Sequence, residues 1–332
     1  PFIFNEPALA PIAELAGVSV EARATCNGAS FEEGMLFTRQ RDGFQVNPRS
    51  FREGRGLEAR TRPNALFLSV GAQFNGLIAR QVQGWFKRMG VISGLSDIEY
   101  QGFTTGKFMQ DAGFREEIKR FVCALDVGIE DIRGEKVEPE NVAFPPNLPE
   151  EIKTYLLKTP GDFVAFQTQH KKYDTEQNPV GLETFLLNDQ ESEGTKKLFF
   201  LAGPILDSLV NGRVLVIDEM EARMHPLITL AIIRLFNSIE ANPKRALLIV
   251  TTRGTNLLDR SLFRRDQIWF TEKDRFGSSH LYSLVEFKPR YDASFEKDYL
   301  RGRYGAVPYP GELASSVQHA MMVAEEKAGY EA

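Results

Sequence analysis

GRVLVIDEMEARMHP, residues Gly212 to Pro226, is the stretch whose reading decides the fold. Val214 to Ile217 form a short apolar run, β-branched in three of four places, that ends abruptly in Asp218-Glu219. A run of this kind reads as a strand buried on both faces of a parallel sheet. Open α/β sheets gather their ligands beyond the carboxyl ends of such strands, so two adjacent carboxylates there have the form of a Walker B segment. Asp218 would hold Mg²⁺ through water, and Glu219 would polarise the water that attacks a γ-phosphate. The plainer alternative is a core strand that leaves the sheet through surface acids.

The flanks extend the pattern. Upstream, Ser192-Glu193-Gly194-Thr195-Lys196 precedes a long apolar helix over 198–209, which Asn211-Gly212 closes with the left-handed residue a helix end favours. Ser192 at the N-cap, with Gly194 permitting close backbone approach, makes a site for an anion; alone, it is equally a capped helix. Downstream come a helix over 228–240, a second buried strand over 246–252, a polar turn Arg253-Gly254-Thr255-Asn256, and an edge strand over 267–271. Polar residues at the end of the 246–252 strand, Thr252 and Arg253 among them, would reach the same phosphate as Asp218. His225 beside Pro226 reads as structural, and Asn256 and Asp259 as helix caps. Alternation at this spacing predicts an α/β fold with a mostly parallel sheet.

Farther upstream, 36–39 and 44–46 with Asp42-Gly43 between them predict a β-hairpin. Residues 48–62, rich in Arg, Glu and Gly, read as a solvated connector. A short strand is expected over 65–70. A helix is expected over 73–89, its stripe of Phe74, Leu77, Ile78, Val82, Trp85 and Phe86 facing the core. A second amphipathic helix covers 114–125. Residues 126–148 read as a linker or insertion, Pro149 as the start of a short helix, and 163–173 as a strand. Three regions result: a β-rich part over 1–62, a mainly helical insertion over 63–160, and a lobe over 161–332 carrying the motifs.

The 332 residues, 42% hydrophobic and 26% charged, suffice for one large or two modest domains. A net charge of −5 argues against a wholesale nucleic-acid coat and leaves room for a local basic patch. Cys26 and Cys123 lack metal-ligand spacing and suit a reducing compartment. No apolar run approaches the roughly 18 residues of a membrane span. The expectation is a soluble, cytoplasmic protein.

Order and spacing together carry a resemblance. The segments over 188–197, IDEMEARMHP, TTRGTNLLD, RDQIWFTEKD over 265–274 and YLRGRYGAVP over 299–308 resemble the ABC-type AAA ATPases of prokaryotes. The resemblance is nearest to the RloA- and AbiLi-like ATPases of defence systems and more distant to OLD, RecF and SMC heads. It implies a P-loop NTPase head with a helical insertion and a small antiparallel β part. Two such heads would sandwich ATP. Asp218 would support Mg²⁺ and Glu219 would act as base or water-orienting group, while Ser192, Gly194, Thr195 and Lys196 would form the signature that closes over the partner head's nucleotide. Implied partners are a second copy or a larger homo-oligomer, a separate Toprim-like or HNH effector nuclease, and a DNA or phage-protein trigger, with no membrane. A repair or chromosome-maintenance ATPase and a non-hydrolysing ATP clamp are the alternatives.

Two departures bear on the chemistry. The Walker A pattern G-x-x-x-x-G-K-[ST] occurs nowhere; Gly102-Phe103-Thr104-Thr105-Gly106-Lys107 has the wrong spacing. A chain that starts at Pro1 without Met suggests that the phosphate loop lies upstream. The family's switch carries a His after the Thr-Thr pair where this chain has Arg253. A guanidinium stabilises phosphate charge but accepts no proton, so slow hydrolysis is expected.

Overall fold

The computed structural model describes residues 2–4, 21–22, 34–40, 43–62, 64–96, 98–125, 127–138, 149, 153, 163–290 and 293–308. They fall in two compact units, one from Phe2 to Leu257 and one that starts at Leu258.

The first unit is organised by Val214–Asp218, which is parallel to both neighbours. Leu247–Thr251 lies on one side in the register Leu215 to Leu248 and Ile217 to Val250. Gly90–Ser93 lies on the other, with Leu215 opposite Gly90 and Asp218 opposite Ser93. Phe2–Phe4 pairs antiparallel with Leu247–Thr251. Leu215, Ile217 and every residue from Ala246 to Val250 are buried, as a strand covered on both faces requires.

The helix Glu193–Asn211 begins at the N-cap Ser192 and ends at Gly212 with φ 63°. Its interior holds Pro204, which has no N–H for the carbonyl of Phe200 one turn earlier. The buried hydroxyl of Thr104 donates to that carbonyl instead. Thr104 belongs to the helix Ile98–Gln110, so Gly102 to Lys107 is helical and offers no phosphate loop. Gly203 lets the two helices meet, since a Cβ there would lie 2.2 Å from Thr104 Oγ1. Thr104→Val keeps the shape and leaves the Phe200 carbonyl unpaired. It is expected to cost about 1–3 kcal/mol, read from denaturant midpoints at constant m-value.

Phe108, Phe166, Phe199 and Phe200 form an aromatic cluster between these helices and an antiparallel sheet. That sheet runs Ile129–Val137, Phe163–Tyr173, Pro179–Leu186. The 163–173 strand is as expected, and 114–125 lies on the helix Ala112–Cys123 with Ile118 and Val122 buried. The supposed linker contains the nine-residue strand Ile129–Val137, whose bulge between Ile129 and Asp131 breaks the alternation that would have marked it. Most of the helix expected from Pro149, and residues 139–148, lie outside the described residues.

The hairpin is present as Phe37–Gln40 with Gly43–Val46; its turn residues 41–42 lie outside the described residues. Three readings nearby are corrected. The strand expected over 65–70 is largely the helix Phe67–Gln73, because Phe67 and Val70, three apart, both enter a small core with Phe51 and Leu57. The 48–62 segment is anchored rather than a free connector: Phe51 and Leu57 are buried and Glu53 accepts from the amides of Ile78 and Ala79. The helix expected over 73–89 is shortened to Leu77–Phe86, after Asn75 at φ 62°. Its stripe reaches the core only in part: Ile78 packs against the small core beside the buried Ala79, whereas Phe74 and Leu77 are more than half exposed.

The second unit contains the hairpin Ile268–Lys273 with Ser279–Ser283 and the helix Phe295–Leu300. Phe270 stacks on Tyr299 and Tyr304. The Tyr282 hydroxyl donates to the Tyr304 carbonyl at 2.8 Å. Burial, then the carboxylate of Asp298, pushes the Tyr304 hydroxyl up to about 12, so it stays a neutral donor.

Candidate nucleotide site

Asp218 closes the central strand and its carboxylate stands exposed. The next residue leaves the extended conformation: Glu219 has φ 48°, a left-handed backbone that non-glycine residues adopt rarely. Two contacts hold that turn. The Thr251 hydroxyl donates to Asp218 Oδ1, and Thr251 Oγ1 in turn accepts from the amide of Glu219 at 2.9 Å. Gly94 donates to the Asp218 carbonyl at 2.6 Å, and a Cβ at Gly94 would fall 2.2 Å from the Glu219 carbonyl oxygen. The position after the Gly90–Ser93 strand therefore has room only for glycine.

Arg253 reaches back from the end of the neighbouring strand. Its guanidinium is 2.5 Å from Glu219 Oε1, although the side chain is 86% exposed. Its backbone amide donates to Glu221 Oε1 at 2.7 Å, which fixes where the side chain starts. Glu221 Oε2 is buried with no hydrogen-bond partner among the described residues. A buried acceptor of this kind is costly unless a water or ligand completes it, so the place is suited to receiving a polar group. Thr252 is buried and its hydroxyl accepts from the amide of Gly254, facing its own loop. Thr251, one residue earlier, is the one that meets Asp218.

The second cluster lies at the start of the long helix. Ser192 Oγ accepts from the Thr195 amide at 3.1 Å and sits 2.9 Å from the Thr195 hydroxyl. Lys196 pairs with Glu193 at 3.0 Å. That hydrogen bond, with the charge of Arg223 behind it, holds the Glu193 carboxyl below the usual carboxylate range. Gly194 faces the turn after Glu219, where a Cβ would be 2.6 Å from the Arg223 carbonyl oxygen. Lys197 is completely buried and donates to the carbonyls of Met220 at 3.0 Å and Ala222 at 2.6 Å. The helix start and the turn after the acidic pair are thus one braced assembly.

Lys197, Thr251, Glu221 and Gly94 are the members that pattern reading did not single out. Lys197 had a legible signal, lying four and eight residues before the inward Leu201 and Ile205. His225 behaves as expected, its Nδ1 accepting from the Leu227 amide ahead of Pro226. Of the downstream arginines, Arg264 pairs with Asp266, Arg303 with Asp298, and Arg260 covers the Phe295 ring.

The donor set fits Mg²⁺ held through water. Asp218 Oδ2 has no hydrogen-bond partner among the described residues, and no group of three or more acidic, His or Cys side chains there could hold a metal unaided. Mg²⁺ sites commonly use one or two carboxylates, with waters and phosphate oxygens completing the shell.

A family model described as "AAA domain, putative AbiEii toxin, Type IV TA system" matches residues 76–259. No curated protein and no solved structure matches the chain significantly. The matched range contains all three parallel strands, both clusters and Arg253. The α/β architecture is that of a P-loop NTPase. Among the described residues, no helix is long and apolar enough to cross a membrane.

Proposed function

The chain belongs to this AAA-domain family, more than half its length lying within the match, and on that premise we propose that it is an ATP-binding, slowly hydrolysing head. The observation that carries the reading is the pair Asp218-Glu219 at the end of the central parallel strand, bridged by Thr251 from the adjacent strand. Asp218 presents its free carboxylate oxygen to the waters of Mg²⁺. When bound, the ion neutralises phosphate charge.

Glu219 orients the attacking water and takes its proton, and in the structure Arg253 occupies one oxygen of that carboxylate. A γ-phosphate offers the exposed guanidinium a stronger acceptor, and moving to it would free Glu219. Ser192, Gly194 and the helix-start amides ahead of Thr195, whose own amide is capped by Ser192 Oγ, supply an anion site for a second copy's nucleotide. Thr195 and Lys196 shape that corner, and Thr252 holds the switch loop. Two copies joined through shared nucleotides, with a separate effector nuclease released or held by that joining, is the defence role these parts serve.

The Arg253–Glu219 pair also favours a second reading, a clamp that binds ATP and turns it over hardly at all. The test is equilibrium binding of labelled ATP with Mg²⁺, together with phosphate release, on full-length protein. Binding with slow release supports the head, and binding without release supports the clamp. No binding at millimolar ATP would end both. Arg253→His is expected to raise turnover severalfold, because an imidazole can accept a proton where a guanidinium cannot; an unchanged rate would show that Arg253 is not the brake.

A further inference from the structure

Residues 49–62 contain five arginines and two glutamates, a local charge of 5 − 2 = +3 in a chain of net charge −5. The structure makes this a built surface. Phe51 and Leu57 are buried in the small core with Phe67, and Arg49, Arg52, Arg55, Arg60 and Arg62 are all exposed around it. Of the two acids, Glu53 is spent on the amides of Ile78 and Ala79. None of the five arginines forms an ion pair among the described residues, unlike Arg264 and Arg303 downstream. The backbone that carries them is braced. Asn47 Oδ1 accepts from the amides of Arg49 and Ser50, the Thr61 hydroxyl donates to the Leu57 carbonyl at 2.8 Å, and Arg39 donates to the carbonyls of Arg62 and Ala65. At one end, the Arg60 guanidinium lies 5.4 Å from the centre of the Phe74 ring, which is 54% exposed.

Unpaired arginines held on an ordered scaffold beside an exposed aromatic ring are the features that track a nucleic-acid backbone and stack on a base. We propose that this surface binds the phosphate backbone of single-stranded nucleic acid, with the Phe74 face open to one base. The inference goes beyond the nucleotide-site reading and stands without it, because none of these residues belongs to that site. An anionic membrane would satisfy the charge alone. The exposed ring in cation–π contact with Arg60 favours a ligand with flat faces.

The test is fluorescence anisotropy of the full chain with labelled single-stranded DNA, single-stranded RNA and duplex DNA of equal length, repeated from 0.05 to 0.3 M salt without ATP. If all five arginines meet phosphates, log K should fall against log salt with a slope of about −3.5 for single strands, and Arg52→Ala with Arg55→Ala should flatten it by about 1.4. Arg120→Ala, which removes an exposed arginine elsewhere, should leave the slope unchanged. Phe74→Ala should weaken single-strand binding about tenfold and leave duplex binding alone. The DNA and RNA arms separate the two sources of the same backbone. Three results overturn the proposal: no binding of any strand at 0.05 M salt, a slope that ignores the Arg52/Arg55 change, or capture by phosphatidylserine vesicles with none by oligonucleotides. Because these side chains contribute no ion pairs among the described residues, the variants should melt as the parent does. A variant that does not is replaced by Arg49→Ala with Arg62→Ala, read by the same slope.

Discussion

Glu219→Gln in the full-length protein is expected to lower phosphate release by about 100-fold or more while ATP binding is kept. A positioned general base is worth about two to four orders of magnitude. Gln preserves the size of the side chain and the left-handed turn at φ 48°, and it removes the charge that Arg253 now contacts. Two changes should follow together. The freed Arg253 raises ATP affinity, and a second copy joined through nucleotide stays joined because the phosphate is not cleaved. Single-turnover release and light scattering with ATP read the two effects separately. A full rate in this variant would remove Glu219 from its role, and loss of binding would mean that the carboxylate organises the site and does not act on water.

The largest structural effect is expected at Lys197. Its ammonium is wholly inside the protein and holds the carbonyls of Met220 and Ala222, the residues that follow the acidic pair. Lys197→Met keeps the length of the stem and strands both carbonyls. Each unpaired buried group costs about 1–3 kcal/mol, so about 2–6 kcal/mol in all is expected. At roughly 2–4 °C per kcal/mol for a chain of this order, the melting temperature should fall by about 10 °C. Arginine is no rescue, because a planar fork cannot reproduce a compact ammonium between two carbonyls. If Lys197→Met melts like the parent, the turn after Glu219 has another support.

Features whose cause is local were readable in the sequence. The Val214–Asp218 strand, the helix from Ser192 to Gly212 and the 163–173 strand each carry their own pattern: a β-branched run, a cap at each end, or the apolar run Phe163 to Phe166. Elements decided by partners were not. Gly90–Ser93 is only four residues long and leaves Val91 exposed, so nothing in it announces the third parallel strand; pairing with Val214–Asp218 makes it one. The apolar run at 65–70 fits strand or helix equally, and packing on Phe51 chose the helix. The acidic pair was legible because strand ends are where sheets expose polar groups. Thr251 was hidden by its twin Thr252, since which hydroxyl faces Asp218 depends on strand parity and not on residue type.

Pro204 has a consequence for the order of folding. The Phe200 carbonyl finds its donor 96 residues away, in Thr104, rather than one turn along its own helix. The long helix therefore cannot finish its bonding as a local event. It must wait for a large loop to close, and loop closure is the slow, entropically opposed part of assembling a chain. In refolding, the middle of this helix should gain amide protection together with the Ile98–Gln110 helix and after its own two ends.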